Sequence, residues 1–210
     1  IMTLAAEQQE DEVIAYLLEQ GVILSLGHSD ASFEEATAAY NNGFTTTTHL
    51  FNAMPSIHHR APNLPTAVLN HPTAMASIIA DGMHVNFEVI KMSYQVMKER
   101  LFLITDAVTE CHIGPYQHRL SGDKFITEDG TLSGSNITLI DAIRNCVNHC
   151  AIPLPAALDM TSLHPARLMK MDHVYGAIEE GKKADLILLS SDLTLQKVFV
   201  GGVEYLIADN

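Results

Sequence analysis

The chain has 210 residues, 47% of them hydrophobic, with 12 Lys and Arg against 25 Asp and Glu and a formal net charge of −13. That length and apolar content bury a substantial core and suit one or two domains, while acidity without a clustered basic stripe excludes nucleic-acid binding. No apolar run approaches the roughly 20 residues that span a bilayer, so no membrane contact is expected.

Short apolar runs alternate with amphipathic stretches, the order of strand and helix units around a parallel sheet, so the fold class is α/β. Strands are expected at about Met2 to Ala5, Val22 to Gly27, Thr45 to Leu50, Ala76 to Ala80 and Leu101 to Thr105. Ile1-Met2-Thr3-Leu4 reads as a buried strand and not as a leader. Val13, Ile14, Leu17 and Leu18 recur at helical spacing before Gly21, and Ser32 with Glu35 forms a capping box for a helix that ends at Gly43. Pro65 to Asn70 makes a short helix before His71-Pro72, and Phe87 to Lys98 makes a longer one. After Asp106 comes a long loop with a hairpin expected around Glu128-Asp129-Gly130. Helices follow from Asn136 to about Cys150 and from Pro155.

From Gly176 the pattern changes to short strands with a Gly201-Gly202 hairpin. Residues 1–175 therefore read as the C-terminal portion of a partial (β/α)8 TIM-type barrel, about five strands of it, and residues 176–210 as the C-terminal part of a small β-sandwich domain. Five strands cannot close a barrel of eight, so an N-terminal portion carrying the others is expected. Cys111, Cys146 and Cys150 are odd in number and lack framework spacing, which points to a reducing, cytoplasmic compartment. Cys146, His149 and Cys150 share a helical face in the manner of a metal site, but the apolar pattern around them makes them buried structural thiols.

The chemistry sits at strand ends. His28 ends the run Val22 to Gly27, His49 follows Thr45-Thr46-Thr47-Thr48, and Asp106 follows Leu101 to Thr105. Parallel strands converge their carboxyl ends on one face, where two imidazoles can reach one divalent ion and a carboxylate can move the proton of an activated water. A single strand-end histidine is more often a core or capping group, but three such groups on separate strands form a hydrolytic constellation. His58, His59, His71, His112, His118, His164 and His173 lie in polar or proline-containing loops and read as solvated. His84, after Ala80-Asp81-Gly82-Met83, either touches substrate or satisfies a loop carbonyl.

Five segments stand in one order: Gly27-His28-Ser29-Asp30-Ala31, Thr48-His49-Leu50-Phe51-Asn52-Ala53-Met54, Ala80-Asp81-Gly82-Met83-His84-Val85, Thr105-Asp106-Ala107 and Thr131-Leu132-Ser133-Gly134-Ser135. Together they resemble the N-acetylglucosamine-6-phosphate deacetylases among the amidohydrolases, and Gly181-Lys182-Lys183-Ala184-Asp185-Leu186 is similar to a stretch common in amidohydrolases. The resemblance implies hydrolysis of the acetamide of N-acetylglucosamine 6-phosphate to glucosamine 6-phosphate and acetate. It implies that His28 and His49 hold one divalent metal ion, zinc as first choice with Fe²⁺, Co²⁺ or Mn²⁺ also suited, and that Asp106 is the catalytic acid and base. By the same resemblance Asn52, Ala53 and Arg60 hold the sugar phosphate, Arg60 across a homodimer, and Asp81, Gly82, Met83, His84, Leu132, Ser133 and Gly134 contact substrate.

The departure is the family's glutamate ligand in a His-Leu-Glu-Gly-Pro segment, which nothing in this chain matches. A histidine that polarises the amide carbonyl is unmatched too, and Glu7, after Thr3-Leu4-Ala5-Ala6 where the family has proline before the glutamate, does not substitute. These residues alone are therefore expected to bind metal poorly and turn over little. Two other readings stand beside this one: another amidohydrolase acting on a cyclic amide or nucleobase, and a non-catalytic phosphosugar-binding or assembly module. Arg60 with Asn52-Ala53 discriminates the first, and metal content the second.

Overall fold

The computed structural model describes residues 1–114, 117–122 and 124–205. Five strands, β1 (Met2–Leu4), β2 (Leu24–Leu26), β3 (Phe44–Thr47), β4 (Met75–Ile79) and β5 (Leu101–Ile104), form one parallel sheet in sequence order. Four helices make the crossovers: α1 (Asp11–Glu19), α2 (Phe33–Asn41), α3 (Leu64–Asn70) and α4 (Phe87–Met97). Leu24, Leu26, Ile78, Ile79, Leu101 and Leu103 are buried in the strands, and Ala36, Val68, Ile90 and Met97 cover them from the helices. A parallel sheet buried on both faces needs near-continuous apolar runs, which β2, β4 and β5 supply. β1 departs from its expected burial, because Ile1 is 65% and Met2 43% exposed at the edge of the sheet.

Local chemistry sets the helix ends. Ser32 and Glu35 complete both halves of the capping box of α2, and Asn86 accepts from the Glu88 amide to start α4. The C-terminal carbonyls of α3 have no intrahelical donors, and Arg100 reaches across to them. Its Nη1 donates to the carbonyls of Val68 at 3.1 Å and Ala74 at 2.7 Å, and its Nη2 to that of Leu69 at 3.1 Å. Burial pushes this guanidinium below its usual range.

After β5 the chain makes a small antiparallel hairpin, β6 (Arg119–Ser121) and β7 (Lys124–Ile126). A second antiparallel connection closes around Glu128-Asp129-Gly130, where a hairpin is expected: the Thr127 amide donates to the Thr131 carbonyl at 2.9 Å, Ile126 bridges Leu132, and the Asp129 carboxylate accepts from the Thr131 amide. Next comes α5 (Leu139–Cys150), which starts at Leu139 and not Asn136 because Thr138 and Asp141 make a reciprocal capping box. α6 (Leu154–Thr161) is followed by α7 (Leu163–Leu168), a helix the sequence pattern did not mark. Its His164 is buried and not solvated, donating from Nδ1 to the Leu101 carbonyl at 2.8 Å and so joining α7 to β5.

The three cysteines are free, with Cys146 and Cys150 buried on α5 as expected. β8 (Leu186–Leu189), β9 (Leu195–Val200) and β10 (Val203–Tyr205) form an antiparallel sheet. Gly201 and Gly202, at φ 58° and 81°, turn the chain between β9 and β10, the left-handed pair a two-residue hairpin prefers. Residues 206–210 of the expected β unit lie outside the described residues. Among the described residues no helix is long and apolar enough to cross a membrane.

Candidate active site

His28, His49 and Asp106 each follow the carboxyl end of a strand, and all three adopt the left-handed region, at φ 51°, 34° and 50°. For a residue with a Cβ this costs about 1–2 kcal/mol, so each must be held by its surroundings. Glu7 holds the His28 loop, accepting from Ser29 Oγ at 2.8 Å and from the Asp30 amide at 3.0 Å. It is occupied as a loop tie and not as a ligand. Ser77 of β4 holds His49: its Oγ accepts from the His49 amide at 2.8 Å and donates to the Thr47 carbonyl at 3.3 Å. Ser135 holds Asp106, donating its amide to the Asp106 carbonyl at 2.9 Å.

The two imidazoles meet. Their Nε2 atoms lie 2.8 Å apart, with ring centroids at 4.6 Å and planes at 67°. At that separation the nitrogens either share one proton or turn two lone pairs toward one cation. His49 is 5% exposed, and burial is the main cause that pushes its pKa below the usual histidine value, assisted by the neighbouring His28. Its own backbone, Asp106 and the Asn52 backbone oppose that shift without reversing it. A neutral ring keeps its lone pair for a metal. Among the described residues the Nδ1 of His49 is buried without a hydrogen-bond partner, an unsatisfied position where metal-ligating histidines commonly find an outer partner.

The donor chemistry thus fits two positions on a divalent ion. Among the described residues no group of three His, Cys, Asp or Glu is close enough to hold a metal. Asp106 therefore stands near enough to bias the charge of His49 but forms no three-residue cluster with the two imidazoles.

The segment after His49 is tightly wound, with Phe51 at φ 77° and Ala53 at φ 49°. The Asn52 amide donates to the His49 carbonyl at 2.9 Å, and the Ser29 amide donates to the Ala53 carbonyl at 3.2 Å, so the loops bearing the two histidines are fastened together. Arg60 lies exposed in the following loop. Its amide donates to His58 Nδ1 at 3.3 Å, and among the described residues no hydrogen bond or ion pair joins its guanidinium to another site residue.

Within this chain His84 meets a side-chain carboxylate and not a loop carbonyl. Its Nδ1 pairs with Asp81 Oδ2 at 2.6 Å, both side chains about 5% exposed, while Asp81 Oδ1 accepts from the amides of Met83 at 2.9 Å and His84 at 2.8 Å. Gly82 completes this turn at φ 76°, where a Cβ would lie 2.6 Å from the Phe87 ring. Burial works to raise the Asp81 carboxyl, but the His84 side chain and the two amides outweigh it and hold the group below the usual aspartate value. A carboxyl depressed in the folded state contributes stability above its unfolded pKa and loses it as pH falls through the folded value. Asp81→Asn should therefore cost about 2 kcal/mol at pH 7, and the gap to the parent should narrow as pH falls through the depressed folded-state value of Asp81. Urea unfolding at several pH values checks this, and a gap independent of pH would refute it.

Ser77 and Ser135 were not picked out from the sequence. The signal for Ser77 was a lone hydroxyl inside the apolar run Met75-Ala76-Ser77-Ile78-Ile79. Ser135 closes the segment Thr131-Leu132-Ser133-Gly134-Ser135, but nothing local points to its partners in Thr105-Asp106, far along the chain.

A parallel α/β sheet with two converging imidazoles and a carboxylate at its strand ends has the make-up of a metal-dependent hydrolase. The pattern of the Amidohydrolase family matches residues 17–204, and the chain belongs to that family. Within it, the chain is similar to the N-acetylgalactosamine-6-phosphate deacetylase of Escherichia coli O157:H7, 33% identical over 210 residues, covering 96% of this chain and 56% of that protein. It is 34% identical to the N-acetylglucosamine-6-phosphate deacetylase of Vibrio furnissii over 198 residues, 91% of this chain and 50% of the relative. The crystal structure of N-acetylglucosamine-6-phosphate deacetylase from Pasteurella multocida superposes with a TM-score of 0.91 at 34% identity, over 97% of this chain and 55% of that one. The chain spans about half the length of the relatives it matches.

Proposed function

We propose that the protein to which this chain belongs hydrolyses the acetamide of N-acetyl-D-glucosamine 6-phosphate, giving glucosamine 6-phosphate and acetate. The observation that carries this reading is the contact of His28 and His49 through Nε2 at 2.8 Å, beside an Asp106 whose charge reaches His49, in a chain similar to sugar-phosphate deacetylases over nearly its whole length. His28 and His49 would hold a divalent ion, zinc first, with Fe²⁺, Co²⁺ or Mn²⁺ compatible with the same donors. When bound, that ion supplies Lewis-acid polarisation and lowers the pKa of water.

The chain's own residues do the rest. The buried, neutral His49 keeps its lone pair available and shuts solvent from one side of the site. Asp106, as a carboxylate, removes a proton from the attacking water and returns it to the sugar nitrogen as the C–N bond breaks, leaving acetate and a free amine. The Asn52-Ala53 turn and Arg60 hold the phosphate, Arg60 from the second subunit of a homodimer, because its planar fork binds two phosphate oxygens at once. Asp81 to His84 and Leu132 to Gly134 bound the sugar.

In this reading residues 1–175 form part of a (β/α)8 barrel and residues 176–210 part of a small β-sandwich, each completed by protein outside these 210 residues, which also supplies the third ligand. The similarity to an N-acetylgalactosamine-6-phosphate deacetylase favours a second substrate, the C4 epimer. The test is acetate release by the full-length protein from both sugar phosphates, with metal content measured in parallel. The full-length protein should release acetate and amine in equal amounts, while the 210 residues alone should retain little metal and release little acetate. A metal-loaded full-length protein that binds the phosphosugars without releasing acetate would establish the binding-module reading instead, and turnover of a cyclic amide or nucleobase alone would establish the other amidohydrolase.

A further inference from the structure

We infer that Ser135 is a positioning residue for Asp106, and that it makes the acid/base and the segment Leu132–Gly134 a single mechanical unit. The inference rests on the catalytic role proposed for Asp106. It begins from that residue's conformation: Asp106 is exposed, and its left-handed φ of 50° decides where its carboxylate points. What fixes that backbone is a clasp from Ser135, 30 positions beyond Thr105. The Ser135 amide donates to the Asp106 carbonyl at 2.9 Å, the Val108 amide donates to the Ser135 carbonyl at 3.2 Å, and Ala107 and Ser135 form a parallel bridge. The Ser135 hydroxyl donates to the Thr105 carbonyl in a short hydrogen bond and accepts from the Ile137 amide at 3.4 Å. The peptides on both sides of Asp106 are therefore gripped by one residue, itself 1% exposed.

Gly134 shows how close the grip is. A Cβ there would lie 2.9 Å from the Asp106 carbonyl oxygen and 2.6 Å from Val108 Cγ1, at a φ of 135° that side chains rarely adopt. The same short strip is fastened at its other end, where the Ser133 amide donates to the Phe125 carbonyl at 3.1 Å and Leu132 bridges Ile126. A substrate resting on Leu132 to Gly134 thus presses on a backbone whose next residue holds the acid/base. Displacement of a reacting group by about 1 Å costs on the order of 100-fold in rate, so loss of the hydroxyl should appear in kcat.

The experiment uses the full-length, metal-loaded protein and compares the parent with Ser135→Ala, with Ser135→Cys, which puts a larger atom and a weaker donor in the hydroxyl's place, and with Asp106→Asn. Each is assayed on N-acetylglucosamine 6-phosphate and on its N-trifluoroacetyl analogue, an activated amide that relies less on proton transfer. Ser135→Ala should lower kcat on the acetyl substrate by about 10- to 100-fold, with KM and metal content unchanged and a loss several-fold smaller on the trifluoroacetyl analogue. If either serine variant folds and keeps kcat within twofold of the parent, or loses both substrates equally, or changes KM alone, the positioning role is refuted. An inactive parent would instead refute the deacetylase reading, and an active parent with a dead Asp106→Asn and an indifferent Ser135→Ala would remove only the positioning role.

Discussion

Asp106→Asn in the full-length protein should lower kcat by about 1,000-fold while leaving the metal bound. General acid and base catalysis by a positioned side chain contributes about 100- to 10,000-fold, and in this chain one carboxylate is proposed to serve both steps. Asparagine keeps the shape and the backbone clasp from Ser135 but neither takes nor returns a proton. Metal should remain because Asp106 does not complete a three-residue cluster with the imidazoles. Its charge acts on His49 from a distance, so its removal weakens the local negative field while both imidazole donors stay in place. Steady-state kinetics with elemental analysis of the same sample decides the matter: near-normal turnover removes Asp106 from the mechanism, and parallel loss of metal and rate makes it a ligand.

The strand-end residues were legible because a parallel sheet leaves little freedom. Once Val22 to Gly27 and Thr45 to Thr48 are strands in one sheet, His28 and His49 must emerge on the same edge, and the structure puts their Nε2 atoms in contact. Capping chemistry marked the start of α2 for the same local reason. Features that depend on distant partners were not legible. His164 reads as a loop histidine until β5 is known to pass beneath it and offer the Leu101 carbonyl. Ser77 and Ser135 are small polar residues whose importance lies wholly in the backbone they meet across the fold, and no periodicity encodes such a meeting. Strand-end positions can be read along a chain, while the hydrogen bonds that hold them join residues far apart in it.

His49→Ala in the full-length protein should weaken metal binding by at least about 100-fold, abolish turnover, and yet leave the metal-free protein no less stable. Removing an outer partner of a ligand already costs about 10- to 100-fold in affinity, and His49 is proposed as a ligand itself. The stability expectation follows from its surroundings. In the absence of metal His49 carries a buried Nδ1 without a partner among the described residues and keeps only its hydrogen bond to His28 at 2.8 Å. A buried unsatisfied polar atom costs about 1–3 kcal/mol, which offsets the packing lost on truncation. The residue thus contributes little to the metal-free fold and most of its value when an ion is bound. The comparison is thermal unfolding of parent and variant after chelation and again after zinc is restored. Zinc should raise the midpoint of the parent alone. A variant stabilised by zinc as strongly as the parent would show that His49 is not a ligand, and a variant that unfolds far earlier than the chelated parent would show that its role is in the core.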